Sequence, residues 1–205
     1  MKFWIGFLVI CFVGCSAPEK HSVIPAGAKV LVLGDSLSYG TGAAQDEDYP
    51  TLLAKSTGWN MINAGIPGNT SAEGLARLPA LLEEHQPALL VLELGGNDFL
   101  QHAPNAQTVA NLKQIIHLAQ TKKLPVILVA IPELSVFSAA VGNLSDHPMY
   151  EALAEETKTP LIAEVFSGVL SQEALRADQV HPNAAGYREV SVQMYEKLQT
   201  LGFVK

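Results

Sequence analysis

Cysteine is almost missing from this chain. Of 205 residues only Cys11 and Cys15 carry a thiol. Their place near the N-terminus leaves none for a zinc cluster, an iron–sulfur centre or a disulfide framework in the body of the chain. Charge is sparse as well: 16% of residues are charged, and 13 basic residues face 20 acidic ones for a net −7. Such a balance lacks the basic face that a nucleic-acid backbone demands. The sequence holds no HExxH metal motif, no G-x-S-x-G elbow, no internal repeat and no low-complexity tract, so neither a zinc hydrolase nor a classical α/β-hydrolase elbow is indicated. What it does hold is 48% hydrophobic residues, enough to bury the core of one domain.

The longest apolar run, Phe3 to Gly14, is twelve residues, short of the roughly 20 needed to span a bilayer. Behind Lys2, it reads as the h-region of a secretory signal covering 1–14. The run ends Phe12-Val13-Gly14-Cys15 and then turns polar. That ending resembles the lipobox of bacterial lipoproteins, with Phe12 where Leu is usual, and implies lipidation of Cys15. Residues 15–28 would then be a lipidated N-terminus and tether, and 29–205 the folded domain. Acyl chains on Cys15 would hold the protein at a membrane, since each buried CH₂ contributes about 0.8 kcal/mol.

From Lys29 onward strands and helices alternate. KVLVL at 29–33, 59–63, ALLVLEL at 88–94, PVILVAI at 125–131 and a short edge at 160–163 read as strands. Helical spacing covers 49–57, 71–85, 105–121, 150–157 and 183–201, with Ser71 as the expected cap of the second helix and Pro182 suited to the start of the last. Continuous apolar strands separated by helices predict an α/β fold with a five-stranded parallel sheet covered on both faces. Ligands in such folds sit beyond the carboxyl ends of the strands. Three polar turns fall there, Gly34-Asp35-Ser36-Leu37-Ser38, Asn63 to Thr70 and Gly95-Gly96-Asn97-Asp98, and a fourth near the C-terminus, Asp178-Gln179-Val180-His181-Pro182, can converge on the same rim.

These turns carry the parts of an acyl-transfer site. Ser36 follows a buried strand and would be exposed to a cleft, but a serine hydroxyl needs a base to become a nucleophile. His181 can be that base, and Asp178, three residues earlier, can accept from its Nδ1 and fix the tautomer. Asn97 and Gly68, with the N–H of Ser36, can donate to a developing oxyanion. Taken singly, each has a plainer reading: a turn serine, a surface histidine, a capping aspartate, a Gly-Gly turn. Asp146 and His147 look similar, but Leu144 stands where the acid should be, so they read as a solvated loop pair. His102 lies near the rim and reads as a surface residue.

As a set, GDSLS, Gly68, GGND and DQVHP resemble the blocks of the SGNH (GDSL) hydrolases, in order and spacing from Gly34 to Pro182. The stretch from Asn69 to Asp98 is similar to the periplasmic thioesterase/lysophospholipase/arylesterase subgroup. The resemblance implies a flavodoxin-like three-layer α/β/α sandwich and cofactor-free hydrolysis. It implies Ser36, His181 and Asp178 as catalytic residues, Ser36, Gly68 and Asn97 as the oxyanion hole, and no metal. The substrates implied are aryl or short acyl esters, lysophospholipids or acyl thioesters, with no nucleic-acid partner. Two departures stand out: Asn69 replaces the usual Asp, and segment 132–149, which walls the acyl pocket in the family, follows no expected pattern. O-acetyl groups on envelope polysaccharide are an alternative substrate, and a non-catalytic binding lipoprotein of the cell envelope, facing the periplasm, is an alternative role. A flavodoxin-like nucleotide binder fits poorly, because Asp35 would repel phosphate.

Overall fold

The computed structural model describes residues 21–133 and 143–205. The signal and Cys15 lie outside the described residues. Five strands, β1 (Lys29–Gly34), β2 (Asn60–Asn63), β3 (Leu89–Glu93), β4 (Val126–Val129) and β5 (Leu161–Ile162), form one parallel sheet in the order β2-β1-β3-β4-β5. The three central strands are rows of Val, Leu and Ile that are buried almost throughout, as expected of a sheet covered on both faces. The helices are α1 (Ser36–Tyr39), α2 (Tyr49–Thr57), α3 (Ser71–His85), α4 (Gly96–Leu100), α5 (Asn105–Thr121), α6 (Met149–Thr157), α7 (Val165–Leu170) and α8 (Ala184–Leu201). Helices α3, α5 and α6 pack side by side in one layer, and α2, α8 and α7 in another. This is the flavodoxin-like sandwich, and its strand order reverses between β1 and β3.

Several local expectations shift. Thr70, not Ser71, caps α3. Its hydroxyl accepts from the amide of Glu73, whose carboxylate in turn accepts from the amide of Thr70. This is a complete capping box one residue earlier than the sequence suggested. Ser71 is instead buried, and both its amide and its hydroxyl donate to Asp98. Pro182 is not the first residue of α8: Asn183 caps that helix by accepting from the amides of Ala185 and Gly186. The packed body also begins before Lys29, since Ile24 is buried and its carbonyl accepts from the Trp59 indole. The short helices α1, α4 and α7 are too brief to show helical periodicity in sequence.

Candidate active site

At the switch point between β1 and β3 two strand ends lie side by side. From the first emerges α1, a single turn opened by Asp35, whose carboxylate accepts from the amide of Leu37 at 2.9 Å. Ser36 is the first residue of that turn, half-buried with its side chain toward the cleft. Between Asn183 at the head of α8 and the 3₁₀ turn at Glu173–Leu175 runs a short loop holding Asp178 and His181. The amides of Val180 and His181 both donate to Asp178 Oδ1 at 2.8 Å, which closes the loop into a tight turn. The same carboxylate, through Oδ2, lies 2.8 Å from His181 Nδ1. On the other side of the ring, His181 Nε2 lies 3.0 Å from Ser36 Oγ. The sequence separates these two residues by 145 positions, and the fold places them within hydrogen-bond distance.

From the end of β3 comes Asn97. Its Nδ2 donates to Asp35 Oδ2 and to the carbonyl of Asn69, both at 3.0 Å. Gly68 lies exposed in the loop after β2 at φ +84°, a conformation suited to glycine. Ser36, Gly68, Asn97 and His181 line one cavity together with Leu37, Pro67, Leu100, Ile131, Leu170 and Val180. The lining is mainly apolar, as a site for an acyl group requires. Pro132 belongs to the same wall; residues 134–142, expected to continue it, lie outside the described residues.

Electrostatics differ between the two acids. Burial pushes the Asp35 carboxyl up to about 6, although the Leu37 amide, the His181 charge and the Asn97 amide each oppose the rise. For Asp178, burial acts upward too, but the His181 ring and the amides of Val180 and His181 hold it below its ordinary range. Asp178 is therefore a carboxylate beside the imidazole at neutral pH.

Three residues near the site have roles that the sequence reading did not assign. Arg77 of α3 reaches back with Nε to Asn69 Oδ1 and with its terminal nitrogens to the carbonyls of Ala64 and Gly34. It ties the ends of β1 and β2 to the loop that carries Gly68. Asp98 anchors Ser71 and accepts from Thr108. Glu93 is a fully buried acid at the end of β3. A lone charge closing the apolar run LLVLE was the available signal for it.

His147 needs correction. It is half-buried, its ring stacks on Phe99 at 4.6 Å between centroids, and its Nδ1 accepts from the amide of Met149. Burial lowers its pKa. Asp146 accepts from the amide of Glu164 at 2.6 Å. The pair is a packing element rather than a solvated loop, because its backbone is tied to the end of β4: the His147 amide donates to the Ile131 carbonyl and the Glu133 amide to that of Ser145. His102 is exposed, with φ +56°, and does not line the cavity. Among the described residues no group of three or more His, Cys, Asp or Glu is arranged to hold a metal, and no helix is long and apolar enough to cross a membrane.

A doubly wound sheet with a serine, a histidine and an acid in line over an apolar cavity defines a serine hydrolase of carboxylic esters. The chain belongs to the GDSL-like lipase/acylhydrolase family, whose model matches residues 32–189. It is 34% identical over 194 residues to Esterase TesA of Pseudomonas aeruginosa, covering 92% of this chain and 96% of that protein. It is 35% identical over 181 residues to thioesterase 1/protease 1/lysophospholipase L1 of Escherichia coli, covering 86% of each. A crystal structure of TesA matches with TM-score 0.74 at 34% identity, covering 84% of this chain and 99% of that one. The psychrotrophic esterase EstA from Pseudoalteromonas sp., in a structure inhibited by monoethylphosphonate, matches with TM-score 0.72 at 27% identity, covering 84% and 97%.

Proposed function

We propose that Ser36 is the nucleophile, His181 its general base and Asp178 the residue that orients and supports the imidazole. The observation that carries this is the unbroken line Ser36 Oγ–His181 Nε2, 3.0 Å, and His181 Nδ1–Asp178 Oδ2, 2.8 Å. In acylation Ser36 Oγ attacks the substrate carbonyl while its proton passes to His181 Nε2. The negative charge on the carbonyl oxygen meets the N–H of Ser36 and the N–H of Gly68, and Asn97 Nδ2 turns to it the hydrogen it otherwise gives the Asn69 carbonyl. His181 then returns the proton to the departing alcohol or thiol, leaving an acyl-enzyme. Water deacylates it by the same route in reverse, and Ser36 recovers its proton. No cofactor is required.

The substrates proposed are aryl or short acyl esters, lysophospholipids or acyl thioesters. The apolar cavity wall supports them, and two relatives named as an esterase and as a thioesterase/lysophospholipase act in that range. The protein is further proposed to be exported and held at the envelope by a lipid on Cys15, facing the periplasm, on the strength of the apolar run before Cys15.

The test is turnover of p-nitrophenyl esters from acetate to palmitate, with palmitoyl-CoA and a lysophospholipid beside them. Turnover that disappears in Ser36→Ala is expected, and an active Ser36→Ala protein refutes the assignment. Release of acetate from acetylated polysaccharide, without activity on the other esters, would move the substrate to envelope polymer.

A further inference from the structure

A buried carboxyl group in a hydrophobic core is expensive unless something requires it, and the reaction outlined above makes no use of Glu93. Its side chain is fully buried, at the end of a strand otherwise made of Leu and Val. In the β1–β3 register Glu93 stands opposite Gly34. It crosses beneath that glycine to reach α1, where the Ser38 hydroxyl donates to Glu93 Oε2 at 2.6 Å. The single hydroxyl hydrogen of Ser38 is thereby used, so the Tyr49 hydroxyl, 2.9 Å away, donates to Ser38 Oγ. A Cβ at Gly34 would lie 2.0 Å from Ser38 Oγ and 2.8 Å from Glu93 Oε2. The glycine two residues before the nucleophile thus clears the path of this bond.

Helix α1 has four residues and cannot hold its own shape. Its only fully inward polar side chain is Ser38, and Glu93 is the group that ties that side chain to β3. Four residues further along the same strand end stands Asn97. We propose that Glu93 is a positioning residue, which through Ser38 sets the distance between the Ser36 hydroxyl and the Asn97 amide. This inference rests on Ser36 being the nucleophile. Burial first, and the Asp35 carboxylate second, hold the Glu93 pKa well above the usual carboxylate range. Burial thus favours the protonated form of the carboxyl, of which glutamine is the nearest isostere.

Geometry of this kind governs the chemical step more than ground-state binding, and an error of about 1 Å can cost on the order of 10²-fold in rate. The experiment measures kcat and KM for p-nitrophenyl butyrate, and the rate at which a phosphonate labels Ser36, with every rate expressed per site finally labelled. Glu93→Gln is expected to stay within about threefold of the parent protein. Glu93→Leu and Ser38→Ala are expected to lower kcat and the labelling rate together by about 10- to 100-fold, with KM changed less than about threefold. The double variant should be no slower than the slower single one. Counting labelled sites separates lost positioning from lost folding. If Glu93→Leu does not fold, Ser38→Ala and Glu93→Gln still decide. Full kcat in Ser38→Ala, or Glu93→Gln as slow as Glu93→Leu, overturns the proposal. Turnover surviving in Ser36→Ala would instead refute the nucleophile assignment itself.

Discussion

Asp35 stands one residue before the proposed nucleophile, 2% exposed, with its pKa raised from 3.8 to about 6. A carboxyl raised on folding binds its proton more tightly in the folded than in the unfolded state. The stability it contributes is complete below about pH 4 and is lost as pH rises through about 6, a difference of the order of 3 kcal/mol. Asp35→Asn keeps an acceptor for the Leu37 amide and removes the charge. Its melting temperature is expected to exceed that of the parent at pH 8 and to converge with it near pH 4, as thermal melts across that range would show. Glu93 acts in the same direction. Asp178 has the opposite sign: its lowered pKa favours the folded state above the ordinary carboxylate range and loses that effect on acidification. In catalysis Asp178→Asn should cost less than Ser36→Ala or His181→Ala, because the Val180 and His181 amides still donate to a side-chain oxygen and hold the turn. Steady-state rates for the three variants check that order.

At the scale of elements, α3 shows what sequence patterns resolve and what they miss. Its length and its apolar face, with Leu78 and Leu82 buried, follow from the spacing of leucines. Its cap does not, because Thr70 and Ser71 are both good capping residues. Asp98, 27 positions away, takes Ser71 for itself. Thr70→Ala should cost about 1 kcal/mol, or about 2–4 °C in melting temperature, without changing kcat. Asp98→Ala should cost more, because it leaves both donors of a buried serine, its amide and its hydroxyl, without their acceptor. The turn α1 behaves differently. Gly34→Ala has no room between β1 and Ser38, so α1 must shift, and esterase activity should fall more steeply than the melting temperature.

Across the whole molecule, α8 links the site to the opposite pole. It begins just after His181 and, with 18 residues, runs about 27 Å to Leu201. There the amide of His21 donates to the Leu201 carbonyl and that of Ile24 to the Phe203 carbonyl. The described chain thus starts at the end of the sheet away from the cavity. Five residues lie between Cys15 and His21, a reach of at most about 21 Å over the six Cα–Cα steps. A lipid on Cys15, as proposed, would leave the cavity facing away from the bilayer that holds it. Anchored protein in vesicles should therefore hydrolyse soluble p-nitrophenyl butyrate as fast as Cys15→Ser in solution. It should gain nothing on palmitate esters embedded in the same vesicle. A tenfold gain there would show that the cavity reaches its own membrane.

The apolar runs of β1, β3 and β4 and the leucine spacing of α3 and α5 determined the layered architecture by themselves, because burial on a parallel sheet depends on local pattern. Ser36, Gly68 and Asn97 were legible because they follow strands whose ends form the rim of such a sheet, and Asp178 and His181 because their spacing matches a motif, although they lie in the loop before α8. Tertiary structure alone decided which polar groups meet. Glu93 reaching under Gly34 to Ser38, Arg77 tying two strand ends to the Asn69 loop, Asp98 claiming Ser71, and His147 stacking on Phe99 are all contacts between distant segments. Each depends on side chains that compete for partners only once the backbone has closed, and no spacing along the chain records that competition.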